Sequence, residues 1–89
     1  MLRERIVLAV NAFVEIVIWR VPNPVVGSEH LYKYRLAYVV DQECVVRYDN
    51  EAGKGDHRHV RGEEVACRFT RPERLLRDFW QMIDRERGP

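Results

Sequence analysis

Leu31-Tyr32-Lys33-Tyr34-Arg35-Leu36-Ala37-Tyr38-Val39-Val40, then Asp41-Gln42-Glu43, then Cys44-Val45-Val46-Arg47-Tyr48-Asp49 decide how this chain folds. The first run alternates, with Tyr32, Tyr34, Leu36, Tyr38 and Val40 on one side and Lys33, Arg35, Ala37 and Val39 on the other. The third puts Cys44, Val46 and Tyr48 on one side. A period of two with β-branched and aromatic residues marks two strands, and the polar triplet between them marks a hairpin turn. Parity chooses the register. A three-residue turn pairs Val40 with Cys44, Tyr38 with Val46 and Leu36 with Tyr48. A two-residue turn sets Tyr38 against Arg47 instead, turning one strand's apolar side to the other's polar side. The first register also places Arg35 across from Asp49, an expected cross-strand ion pair.

Upstream, Arg5–Val10 and Phe13–Val21 read as a second hairpin split at Asn11-Ala12. Their β-branched density disfavours the rival reading of residues 3–20 as one helix. Pro22-Asn23-Pro24 ends the strand, since proline cannot donate to a ladder, and residues 22–30 form a loop. Downstream, Glu64–Phe69 reads as a short fifth strand. The period then changes: Thr70-Arg71-Pro72-Glu73 fits a capping box. Leu75, Leu76, Phe79, Met82 and Ile83 follow at helical spacing, and Gly88 suits the end. The expected architecture is α+β, a single domain over residues 1–89. It is an antiparallel meander of about five strands with one C-terminal helix, about 71–86, packed on one face. One helix leaves the other face carrying Val17, Trp19 and Val39. That predicts an exposed apolar patch fit for a homodimer or a protein partner.

The chain has 89 residues and a net charge of +1, so global charge predicts no strong partner, and a nucleic-acid surface has to be a local patch. A chain this short buries only roughly 60–65% of its unfolded surface, enough for one thin core. Cys44 and Cys67 lack metal-type spacing and read as reduced thiols of a cytoplasmic protein. No apolar run approaches the ~18 residues of a membrane span, and the N-terminus lacks a signal-peptide pattern.

The chemistry concentrates in Tyr48-Asp49-Asn50-Glu51-Ala52-Gly53-Lys54-Gly55-Asp56-His57-Arg58-His59. His57 and His59 stand one residue apart and share a side in extended backbone. Cleavage of RNA without a metal requires a base for the 2′-hydroxyl, an acid for the leaving 5′-oxygen and a cation for the phosphorane-like transition state. Histidine suits the first two roles. The expected assignment is His57 and His59 as acid and base, with Lys54 and Arg58 on phosphate, and Lys33 and Arg35 as further cations. Asp56 or Asp49 would fix a histidine tautomer. Gly53 and Gly55 would let backbone N–H groups approach phosphate, and Tyr34 and Asn50 meet at the strand end beside this loop. Two other readings stay open. One is a solvated edge with no role. The other is a metal site of the His-x-His pair completed by Asp49, Asp56 or His30. A Walker phosphate loop is excluded, because its GxxxxGK[ST] pattern is missing. Tyr32, Tyr34, Tyr38 and Tyr48 fit packing better than base stacking. Cys44 and Cys67 have no base motif nearby to make them nucleophiles. No cofactor motif is present.

Five blocks together resemble the TumE-type toxins of type II toxin–antitoxin systems. They are Glu15-Ile16-Val17-Ile18-Trp19, Tyr32-Lys33-Tyr34-Arg35-Leu36, Tyr48-Asp49-Asn50, Gly53-Lys54-Gly55-Asp56-His57-Arg58-His59, and Phe69 with Leu75-Leu76 and Asp78-Phe79. The blocks span about residues 5–80 in order, and the glycine–histidine block is the specific one. The chain departs in the scaffold, where a glycine turn is expected near Asn11-Ala12 and an aromatic at Cys67. The resemblance implies a growth-inhibiting protein encoded beside a cognate antitoxin that binds it. The residue chemistry adds the expectation of an endoribonuclease acting on RNA without a metal. The alternatives are a toxin that works by binding alone and a metal-dependent nuclease.

Overall fold

The computed structural model describes residues 1–87. Six strands follow one another as an antiparallel meander, in spatial order β1 to β6: β1 Leu2–Ala9, β2 Ala12–Arg20, β3 Tyr32–Val40, β4 Glu43–Asp49, β5 His57–Val60 and β6 Glu63–Ala66. One helix, α1, spans Pro72–Arg87, matching the expected position; the proposed stop at Gly88 lies outside the described residues.

The core is one layer between sheet and helix. Val14, Ile16 and Ile18 of β2, Leu36 and Tyr38 of β3, and Val46 and Tyr48 of β4 bury one face of the sheet. Leu75, Phe79 and Ile83 of α1 close over it. The helical trio recurs every fourth residue, so all three point to one side, and Phe79 meets Tyr48 edge-on with ring centroids 5.9 Å apart. Fully burying side chains of this size contributes about 1.5–3 kcal/mol each. That burial is what holds a helix with few neighbours in sequence against the sheet.

The β3–β4 hairpin keeps the expected register away from its turn, but the three-residue turn and the Val40–Cys44 pairing do not form: Cys44 stands opposite Val39. Arg35 pairs with Asp49, Leu36 with Tyr48 and Tyr38 with Val46, as expected, yet the turn is the two-residue Asp41-Gln42, closed by Val40 opposite Glu43. Val45 has no partner, so a bulge absorbs the odd residue and restores the apolar register. Asp41 and Gln42 both take left-handed φ, 51° and 66°, the geometry that suits the twist of a tight hairpin. Asn11 Nδ2 donates to Asp41 Oδ1 at 2.9 Å.

Three expectations change. The sheet has six strands, because His57–Val60 pairs with β4 and turns through Arg61-Gly62 into β6. Its sequence, His-Arg-His-Val, lacks the apolar alternation that announces a strand. The fifth expected strand, Glu64–Phe69, is instead β6, which stops at Ala66, and Phe69 leaves the sheet to stack on His30 with centroids 3.8 Å apart. The open face is less bare than expected: Val17, Trp19 and Val39 are half-buried and the Arg5 guanidinium lies 4.0 Å over the Phe13 ring, while Val7 in the row of Phe13 and Val39 is 71% exposed. The Arg5 stem covers the Phe13 ring while its charged head stays in water, so the expected patch narrows toward the β1 edge. No helix of the described residues is long and apolar enough to cross a membrane.

Candidate functional site

Strand register alone brings one row of polar groups across the open face: Arg35, Asp49 and His57 stand opposite one another, and the next row is Ala37, Arg47, His59 and Glu64. Lys33 lies two residues from Arg35 on the same side. Lys33 and Arg35 therefore share a side of the sheet with Asp49, where the glycine–histidine stretch begins. Trp19, Lys33, Arg35, Arg47, Asp49 and Glu51 line a shallow hollow of about 350 Å³ there. The expected Arg35–Asp49 ion pair does not form. Asp49 turns instead to Arg47, whose Nε is 3.2 Å from Oδ2, and to His57, whose Nε2 is 2.7 Å from Oδ1.

His57 is 3% exposed. Its Nδ1 is 3.1 Å from the Gly55 carbonyl oxygen, which can only accept, so this nitrogen carries a proton. Its Nε2 faces two carboxylates, Asp49 at 2.7 Å and Glu64 at 3.4 Å. The Asp49 oxygen sits off the ring N–H direction, and His57 Nε2, Asp49 Oδ1 and Arg47 Nε all lack an aligned hydrogen-bond partner. Charge, more than directed hydrogen bonding, holds these buried groups together. His59 differs. It is half-buried, and its Nδ1 lies 3.2 Å from Arg47 Nη2. A guanidinium only donates, so Nδ1 is the acceptor, which places the proton of a neutral ring on Nε2. Among the two histidines, His59 is the one a ligand can reach.

The other expected residues fall into different places. Lys54 is exposed and 3.5 Å from Glu64 Oε1, so it borders the open-face cluster through that carboxylate. Gly53 donates its N–H to the Val26 carbonyl at 2.7 Å, and Gly55 is packed against Gly27. The loop thus docks on residues 25–28, with the Gly53 N–H already taken. Arg58 follows the alternation to the helix side of the sheet, away from His57 and His59. Asn50 is 1% exposed. Its Oδ1 accepts from the Tyr34 N–H at 3.0 Å, and its Nδ2 donates to the Tyr32 carbonyl at 2.7 Å and Ser28 Oγ at 3.3 Å. It extends the β3–β4 pairing beyond the end of β4.

Asp56 anchors a second cluster. It accepts from Ser28 Oγ at 2.7 Å, His30 Nε2 at 2.7 Å and Tyr34 Oη at 2.6 Å. The Tyr32 N–H donates to His30 Nδ1 at 3.2 Å, which fixes the proton of a neutral His30 ring on Nε2, toward the carboxylate. Phe69 covers His30 and stacks near Tyr34 at 5.7 Å. Every polar group here is internally paired, so this cluster ties the loop to the sheet. Among the described residues, no three His, Cys, Asp or Glu side chains are arranged to hold a metal ion.

Burial raises the Tyr34 hydroxyl well above the usual tyrosine range, with Asp56 adding to it through its hydrogen bond and its charge. Burial likewise pushes the Cys67 thiol up to about 11, and the Asp56 charge adds to it, so Cys67 is a protonated thiol at neutral pH and a poor nucleophile. Both groups bind their protons more tightly folded than unfolded, so the unfolded chain loses protons first as pH rises. Their contribution to stability is complete below pH 9 and is lost through pH 11 and beyond. Urea midpoints are expected to fall steadily from about pH 9 to 11, and Cys67→Ala is expected to flatten the first part of that decline. A midpoint that holds constant across the range would contradict the burial of both groups.

Arg47 and Glu64 escaped the sequence reading. Once His57–Val60 is a strand, parity alone sets Arg47 beside His59, so the signal existed but depended on a strand whose composition hid it. Ser28 and His30 come from a loop with no local signal for their partners.

Fold and site together define a small sheet-and-helix protein with a histidine–carboxylate–arginine network on its open face. The chain belongs to the TumE toxin family: the family model described as Toxin TumE matches residues 1–87, which makes it a toxin of the toxin–antitoxin kind with an antitoxin as partner. Searches of curated proteins and of solved structures found no match.

Proposed function

We propose that this toxin acts on RNA through the open face of its sheet, and that His59 performs the proton transfer of phosphodiester cleavage. The observation that supports the reading is the joint placement of Lys33, Arg35, Arg47 and His59 on one face, with the reachable imidazole held in a defined tautomer by Arg47. Arginine heads grip phosphate by paired N–H donation. In this reading the 2′-oxygen attacks phosphorus as His59 takes its proton, the bond to the 5′-oxygen breaks, and water supplies the proton to that oxygen. The products are a 2′,3′-cyclic phosphate and a free 5′-hydroxyl. His57, buried with Nδ1 on the Gly55 carbonyl and Nε2 against the Asp49 and Glu64 carboxylates, acts by positioning: it fixes Asp49, which holds Arg47 against His59.

Purified protein incubated with RNA, with and without chelator, is expected to cleave in both conditions. His59→Ala is expected to lower the rate by about 10²–10⁴-fold with an unchanged melting temperature. Full activity in His59→Ala would remove the assignment. A second reading draws on the same geometry: only one of the two imidazoles is reachable, whereas acid–base cleavage is best served by two. A toxin that binds RNA and cleaves nothing would retain RNA affinity in this assay without products.

A further inference from the structure

Helix α1 closes over β2–β4 and leaves the inner face of β5 and β6 uncovered. The gap between them is a groove of about 480 Å³ lined by Tyr48, Arg58, Phe69, Leu75 and Met82 among others. An adjoining hollow of about 260 Å³ shares Arg58, Met82 and Arg85 and adds Val60 and Val65. Val65 is 43% exposed. Along the rim stand Arg58, Arg68, Arg74 and Arg85. Arg74 approaches Asp78 at 3.4 Å, while Arg58, Arg68 and Arg85 form no ion pair among the described residues. The groove thus joins an aliphatic floor to unpaired guanidinium groups. It lies on the opposite side of the sheet from His59, and the proposed function leaves it unused.

We propose that this groove seats an acidic, amphipathic segment of the partner protein, the antitoxin. Charge complementarity names the sign: of the acids in the two linings, Asp78 is paired with Arg74 and Glu86 with Arg61, so Arg58, Arg68 and Arg85 face Glu63 alone and suit further carboxylates. The floor names the class. Val60, Val65 and Met82 gain from covering by apolar side chains, which a sugar–phosphate backbone does not offer. Single-stranded nucleic acid would want free aromatic planes, but Tyr48 is 4% exposed and set edge-on against Phe79, and Phe69 already stacks on His30. Beside the groove, β6 is the free edge of the sheet and exposed along its length, so its outer backbone groups can pair with an extended segment laid alongside.

The test uses the Arg68→Glu/Arg85→Glu double variant and the cognate antitoxin. Both side chains are exposed and unpaired, so the variant is expected to fold with an unchanged melting temperature. Its Kd for antitoxin is expected to weaken about tenfold or more, and antitoxin should no longer rescue growth, while toxicity and RNA affinity stay at the wild-type level. Hydrogen exchange in the wild-type complex should show protection within residues 58–85. A Kd within about twofold of wild type, or protection confined to the open face, overturns the proposal. Loss of RNA affinity with antitoxin binding intact overturns it too, and makes the groove a nucleic-acid seat. The readouts are independent of cleavage, so failure of the RNA reading leaves this result interpretable.

Discussion

Asp56→Ala is expected to cost about 3–5 kcal/mol of folding stability and to lower the melting temperature by about 12 °C or more. The carboxylate receives three donors, from Ser28, His30 and Tyr34, within 2.6–2.7 Å, with only 11% of its side chain exposed. Removing it leaves a buried phenol and an imidazole N–H without acceptors, and an unmade buried hydrogen bond costs more than a made one contributes. A domain of this size has little stability to lose, so the variant should be largely unfolded at growth temperature. Asp56→Asn should fall between alanine and wild type, because one amide oxygen replaces two and its NH₂ faces donors. The measurement is thermal melting followed by near-ultraviolet circular dichroism. A loss of toxicity in Asp56→Ala at an unchanged melting temperature would mean instead that Asp56 works in the chemistry, as its place in the loop first suggested.

Gly55→Ala should be the next most damaging change. Gly55 has φ of +76°, and an added Cβ would lie 2.7 Å from the Gly27 carbonyl oxygen. That atom is backbone, so it cannot rotate away. Strain of about 1–2 kcal/mol for a left-handed alanine adds to the displacement of the 25–28 segment, for a total of about 3 kcal/mol or more. Moving this contact also moves the flanking residue Asp56 and the carbonyl that holds His57. Gly53→Ala is the control: its φ is +88°, but nothing lies within 4 Å of the added atom, so only the backbone strain remains. Urea titration of the pair should show Gly55→Ala clearly the weaker. Equal midpoints would show that the Gly27–Gly55 contact does not hold the loop.

Much of the architecture is legible in local patterns. Alternation in Tyr32–Val40 and in the Val46–Tyr48 segment, with the i, i+4 repeat of Leu75, Phe79 and Ile83, specifies three elements and the side each one buries. Those signals are strong because burial of one face is the largest stabilising term and repeats at the period of the backbone. The count of strands was not legible, because His57–Val60 carries polar residues on both sides. It is held by β4 on one edge and β6 on the other, an interaction between segments that leaves no trace in composition. The Val45 bulge was hidden for a similar reason, since turn length and register read as one number until a bulge separates them.

The sequence by itself determined that the chain is an α+β meander closed by a C-terminal helix, that two of its histidines and several charged side chains gather in residues 48–59, and that it resembles TumE toxins. Periodicity and residue type are local properties, and they suffice for these. Tertiary structure decided which of the gathered residues share a place. It set His59 and Arg47 on the open face and Arg58 on the opposite one, buried His57 between two carboxylates, and gave Asp56 to an internal lock with Ser28, His30 and Tyr34. Those outcomes depend on strand parity across a late, polar strand and on a loop–loop contact between Gly27 and Gly55. Both are set by segments distant in the chain, and only the folded packing brings them together.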